Sequence, residues 1–307
     1  MKIIQLFICL ITFFLSVSCT QKNNSQKPTI SVSIAPLAFL TQQIVDSDFV
    51  INTLVPSGAS VETYEPTPAQ MKQVAESQMY ISTGLIDFEQ RLNHAIHHNM
   101  PNVQLVDVSE GIPLIAGDHH NHHTQQATAS EQQDPHRHND KQQSDIKDIT
   151  GIDPHIWNSP RTVKQIATNI YQAIAAACPD SVRYQTNYNA LIVRLDSLDR
   201  ALTELFKDKN RTFIIYHPAL SYLARDYNLH QISLENEGKE PSAEYLKQLI
   251  DTVKTLHINQ IFYQQQFSRN SVEALSNELG VPAVPFDPLA PDIIHNTLNI
   301  CTQIAHP

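Results

Sequence analysis

The chain has 307 residues, of which 41% are hydrophobic and 17% charged, and its formal net charge is −10. That length supports one large domain or two ordinary ones, and an acidic balance without a basic cluster excludes nucleic acid as a natural partner. No Cys-x-x-Cys occurs among the four cysteines, which argues against a thiolate zinc site.

Residues 1–18 have a basic start, an apolar run and small residues ahead of Cys19, which predicts a lipoprotein-type signal peptide too short for a spanning helix. Leu15 stands four positions before Cys19 rather than three. On this reading Cys19 is lipidated and 19–28 is a polar tether. The mature chain is then expected in the periplasm or at the cell surface, touching a membrane through its anchor alone.

From residue 29 onward, β-branched runs alternate with helical patterns, the signature of α/β units on mainly parallel sheets. Strands are expected at 30–34, 50–55, 79–83 and 103–108, with helices at 37–45, 68–76 and 88–97, giving an N-terminal lobe over 29–179. A polar stretch at about 117–148 interrupts the rhythm. It holds His119, His120, His122, His123, His136 and His138, and its only large apolar side chain is Ile146. Such a composition cannot build a core and predicts a disordered loop, while clustered imidazoles predict an accessory, low-affinity metal site.

Helical patterns follow at 162–177 and 180–207, and in the second Leu191, Leu195, Leu198, Leu202 and Leu205 recur at helical spacing. About 28 residues at 1.5 Å each would reach roughly 42 Å, so 180–208 is expected to be a rigid helix linking two similar lobes. Strands at 212–216, 231–234, 260–263 and 283–286 alternate with helices at 220–227, 243–255, 271–279 and from about 291, a second α/β lobe over 209–307. Cys178 and Cys301 are left either as one disulfide or as two buried thiols.

Open α/β sheets bind ligands beyond the carboxyl ends of their strands. That rule selects the segment from Pro56 through Glu62 to Pro66, His217 directly after 212–216, and Asp287 directly after 283–286. To these we add the turn Asp153-Pro154-His155-Ile156-Trp157. Imidazole with carboxylate suits zinc, manganese or iron. Outside these places, one helix carries His94, His97 and His98, with His94 and His98 at i, i+4. It is read as an exposed helix end, one face of which could chelate a metal.

Several of these segments, namely Pro56-Ser57-Gly58, Thr63-Tyr64-Glu65-Pro66-Thr67-Pro68, Asp153-Pro154-His155-Ile156-Trp157 and His217-Pro218-Ala219, resemble the cluster A-I metal-binding proteins of ABC uptake systems, the zinc members especially. Glu240-Pro241-Ser242, Gln266-Phe267-Ser268 and Asp287-Pro288-Leu289 extend the likeness along the mature chain. The resemblance implies two lobes joined by a long helix, with a metal in the interlobe cleft held by one ligand from each of four segments. His155, His217 and Asp287 match the second, third and fourth positions. The first, normally a histidine before Thr-Tyr-Glu-Pro, is Glu62 here. Either Glu62 ligates through its carboxylate, which is the favoured reading, or three protein ligands are completed by water or a loop histidine. Glu65 is expected to support its turn by hydrogen bonding, Asp153 to orient His155, and Glu237 or Glu240 to line the cleft.

The resemblance further implies Zn²⁺ as the transported ligand, with Mn²⁺ or iron as runner-up. Two imidazoles with two carboxylates resemble the manganese branch in composition, but the histidine-rich insert and the Irving–Williams order favour zinc. It implies a monomeric receptor that hands the ion to a membrane permease driven by a cytoplasmic ATPase. A zinc-dependent hydrolase would need an open coordination position and a base, for which Glu65 is the candidate, but no His-Glu-x-x-His is present. An adhesive role at the cell surface is compatible with metal binding. Because ligating imidazoles must be neutral, affinity is expected to fall below about pH 6.

Overall fold

The computed structural model describes residues 27–117, 151–179, 181–207, 211–235 and 241–306. The expected signal peptide, Cys19, the six histidines of the tract, Glu237 and Glu240 lie outside the described residues.

Strands β1 (Thr29–Val32), β2 (Val50–Thr53), β3 (Met79–Ser82) and β4 (Gln104–Asp107) form a parallel sheet in the order β2-β1-β3-β4. Strands β5 (Thr212–Ile215), β6 (His230–Ser233), β7 (Ile261–Gln264) and β8 (Ala283–Phe286) repeat it as β6-β5-β7-β8. In both sheets the chain starts on an inner strand, steps to one edge and then crosses to the other side. The order therefore reverses between β1 and β3, and between β5 and β7, which opens a crevice at their carboxyl ends. The expected two-lobe α/β architecture is the observed one. The predicted strands overran by a residue or two because ladder bonds continue past them: Leu54 N–H donates to Val32 O at 2.9 Å, and Val55 N–H to Ser33 O at 2.9 Å.

Helices α1 (Ala35–Val45), α2 (Pro68–Ala75) and α3 (Asp87–Asn99) connect the first sheet; α4 (Pro160–Ala177) and α5 (Val182–Phe206) follow. Helices α6 (Ser221–Tyr227), α7 (Ala243–Leu256), α8 (Arg269–Leu279) and α9 (Ile293–Ala305) belong to the second half. The long helix α5 starts at Val182 rather than 180, because the Ser181 hydroxyl caps it by accepting the Tyr184 N–H. At 25 residues it extends about 37 Å. Its apolar face serves two cores in turn: Tyr184, Leu191 and Leu195 join the first, and Leu198, Leu202 and Phe206 the second. Cys178 packs against the first core and Cys301 sits inside the second, and both are free thiols.

The lobes are pinned where the 153–159 segment meets the second half. Trp157, 1% exposed, donates its indole N–H to Pro288 O at 2.9 Å. Asn158 Nδ2 donates to Ala219 O at 3.0 Å. The buried Tyr222 hydroxyl donates to Asp153 O at 2.8 Å and accepts the Ile115 N–H at 3.2 Å. Tyr222, Leu289 and Ile293 also pack into the first core. A buried aromatic whose polar tip is satisfied across a boundary fixes that boundary in orientation as well as in distance. Among the described residues, no helix is long and apolar enough to cross a membrane.

Candidate metal centre

The first wall of the crevice is the loop that follows β2. Gly58, at φ 82°, takes a left-handed conformation that would strain other residues. Beyond it, the Tyr64 hydroxyl donates to Leu54 O at 2.7 Å and contacts Gln70 Oε1 at 2.8 Å. Gln70 closes a capping box on Thr67, which begins α2 with Pro68 in its first turn. The Thr-Tyr-Glu-Pro-Thr-Pro run is thus a clamp that ties the loop back to its own strand and sets Glu62 at the crevice. The Glu65 carboxylate pairs with Arg91 on α3, which braces the loop against a helix.

The second wall is the 153–157 turn. Asp153 Oδ1 accepts the His155 backbone N–H at 2.8 Å and lies 2.9 Å from His155 Nδ1. Burial alone would raise the Asp153 pKa, but the charge and hydrogen bonds of His155 prevail and lower it. The side chains of both residues are only 6% exposed. Asp153 therefore holds the supporting place predicted for it, fixing ring orientation and leaving Nε2 as the open nitrogen of His155.

The third wall comes from the second lobe. His217 follows β5, and the buried Gln264 at the end of β7 holds its backbone, donating through Nε2 to His217 O at 2.7 Å. Glu235 Oε2 lies 3.1 Å from His217 Nδ1. Glu235, and not Glu237 or Glu240, is the carboxylate described beside His217; it directly follows the predicted strand 231–234, where the strand-end rule points. Each imidazole thus has its Nδ1 occupied by a carboxylate, and each is left with Nε2 for the crevice.

These walls converge. One ligand atom each from Glu62, His155 and His217 lie within 4.8 Å of one another. The two imidazole centroids are 5.2 Å apart, and Glu62 Oε1 is 2.8 Å from His217 Nε2. With Nδ1–H donated to Glu235, Nε2 carries a lone pair facing a carboxylate oxygen, an arrangement that requires a proton or a cation between them. Burial would depress the His217 pKa, but hydrogen bonds to Glu235 and Glu62 outweigh it and raise the pKa to about 9. In the metal-free chain a proton occupies the place of the cation. Asp153, Glu62 and Glu235 surround the two imidazoles with negative charge, which selects positive ligands.

Asp287, the fourth ligand implied by resemblance, is not in the converging group. Its Oδ1 accepts the Leu289 N–H at 2.9 Å and the Gln266 Nε2–H at 3.3 Å, which ties that oxygen to its own turn and to Gln266. That turn supplies Pro288 and Leu289 to the crevice, beside Trp157 and Phe267. Glu62, His155, Trp157, His217 and Phe267 line this small crevice, in which two imidazoles and a carboxylate are the ligating groups.

Known zinc-binding proteins resemble this chain in sequence and fold. Zinc-binding protein AdcA of Streptococcus pyogenes serotype M3 is 27% identical over 301 residues, covering 94% of this chain and 56% of AdcA. The chain therefore spans about half the length of that relative. The high-affinity zinc uptake system protein ZnuA of Bacillus subtilis is 25% identical over 294 residues, covering 90% of this chain and 85% of that protein. A crystal structure of a zinc-bound ZnuA deletion mutant superposes with a TM-score of 0.75 at 34% identity, covering 91% of this chain and 96% of the other. Residues 30–297 match the family described as zinc-uptake complex component A, periplasmic. The chain belongs to that ZnuA family.

Proposed function

We propose that this protein is the extracytoplasmic receptor of an ABC metal-uptake system, which captures Zn²⁺ through Glu62, His155 and His217 and delivers it to a membrane permease. The observation that carries the reading is the convergence of three donors within 4.8 Å. Both imidazoles are oriented in advance by carboxylates on Nδ1, the arrangement that fixes tautomer and raises ligand basicity at zinc sites. Two nitrogen donors and one oxygen donor favour zinc over manganese, which prefers more oxygen ligands and binds such a set more weakly. Water takes the fourth position, and Asp287 stands behind it to hold the 287–289 turn. The ion is cargo, so nothing is transformed. The permease, powered by its ATPase, lowers affinity by displacing a donor. A lipid on Cys19 keeps the monomeric receptor near that permease, and the histidines from His119 to His138 collect zinc at low affinity.

Elemental analysis of the purified protein, followed by competition of zinc against manganese, tests this reading. One tight equivalent of zinc that manganese does not displace is the expected result, and deletion of residues 118–138 should leave it in place. Manganese winning the competition would assign the receptor to a different cargo. Asp287→Asn should retain most of the affinity, and its loss would return Asp287 to the ion.

A further inference from the structure

The outer face of α3 carries a histidine pair that the cleft does not use. Phe88, Glu89, Leu92 and Ile96 face inward, and His94, His97 and His98 are exposed. His94 and His98 are one turn apart, with ring centroids 4.3 Å from each other and planes tilted by 54°. Side chains at i and i+4 share one helix face, and two histidines at that spacing are how a helix presents two nitrogens to one zinc ion. His97 meets His98 edge-on at 5.0 Å. His97, three residues after His94, borders the same face on its other side, and the tilted stacking of His94 on His98 is the closer of the two ring contacts.

The placement is distinct from the cleft. Helix α3 leaves the carboxyl end of β3, where the crevice lies, and returns the chain to the amino end of β4. At 1.5 Å per residue, His98 lies about 16 Å along the axis from the start of the helix, toward the far end of the lobe. His97 and His98 are in the last turn of α3, where the negative end of the helix dipole favours a cation.

We propose that His94 and His98 form a second metal site, a solvent-facing two-imidazole chelate for a borderline divalent ion such as zinc, with water filling the remaining positions. Two neutral ligands hold an ion less tightly than the cleft, whose imidazoles are backed by carboxylates, and exchange it faster. By the Irving–Williams order, copper(II) binds this pair more tightly than zinc. The site does not depend on the cleft reading, because it shares no residue with it.

Histidine acylation of the full chain at rising zinc chloride, with modified peptides resolved by mass spectrometry, reads each ring separately and is blind to metal bound elsewhere. Zinc should protect His94 and His98 together, over the same range of concentration. In His94→Gln, His98 should lose its protection at the same zinc concentration, and the reciprocal holds for His98→Gln. Equal protection of His98 with and without His94, or no protection of either ring, would overturn the proposal.

Discussion

His155 and Glu62 face the same ion position from walls of opposite character. The His155 side chain is 6% exposed, its turn is held by Asp153, and the adjoining Trp157, Asn158 and Tyr222 bond across to the other lobe. The Glu62 side chain is 42% exposed and arrives on a loop clamped at its far end by Tyr64. One wall is part of the core, and moving it would break buried hydrogen bonds. The other can shift at the cost of exposed contacts. The difference teaches how a receptor can bind tightly yet release: the imidazoles provide a preorganised seat, and the exposed carboxylate is the donor that can leave.

The sharpest way to break this comparison is to remove a preformed ligand. His155→Ala or His217→Ala should lower zinc affinity by more than about 100-fold, since loss of a supporting group alone typically costs 10–100-fold. Affinity retained in competition titrations would show that the buried wall is not the seat.

Next comes Glu235→Gln, which preserves shape while removing the charge behind His217. A loss of about 10–100-fold is expected, accompanied by a changed His217 tautomer signal in nitrogen NMR. An unchanged tautomer with full affinity would reduce Glu235 to packing.

Glu62→Gln should cost less, about 1 kcal/mol or roughly fivefold, because a half-exposed charge is screened. The loss should be expressed mainly as faster zinc dissociation in stopped flow. An effect as large as that of His217→Ala would erase the contrast between the walls.

The most graded effect is that of pH, which needs no substitution and accumulates unit by unit. His217 is held protonated up to about 9 in the metal-free chain, so zinc must displace that proton. Affinity should rise by about tenfold per pH unit from 7 toward 9, with about one proton released per ion in calorimetry across buffers of different ionisation enthalpy. The expectation from unperturbed imidazoles, a fall only below about pH 6, is therefore moved upward by the flanking carboxylates. The sign for folding is opposite. A raised histidine pKa contributes stability that is complete below the unfolded value near 6.5 and is lost as pH rises through about 9. Metal-free protein should melt at lower temperature at pH 9.5 than at 6.5, and a flat profile would remove Glu235 and Glu62 as the cause.

Much of the fold was legible because its signals are local. The β-branched runs located every strand to within a few residues, and the leucines of α5 were spaced for one continuous face. That face proved to divide between two cores, with Leu195 in the first and Leu198 in the second, which spacing alone does not reveal. The strand-end rule led to His217, and the Asp153-Pro154-His155 turn to His155, since proline and tight turns mark rigid placement in sequence. The partner of Glu65 was not legible, because Arg91 stands 26 positions away.

Sequence by itself determined the order of elements, the parallel two-lobe plan, and the segments in which Glu62, His155 and His217 stand, since periodicity, proline and glycine act on the backbone within a few residues. Tertiary structure decided which carboxylate serves which imidazole. Glu235 reaches His217 across 18 positions, Asp287 turns back to Leu289 two positions on, and Trp157 meets Pro288 across 131. Nothing in one segment encodes the distance to another. A hydrogen bond is decided by tenths of an ångström, and only the packed sheets set distances that finely.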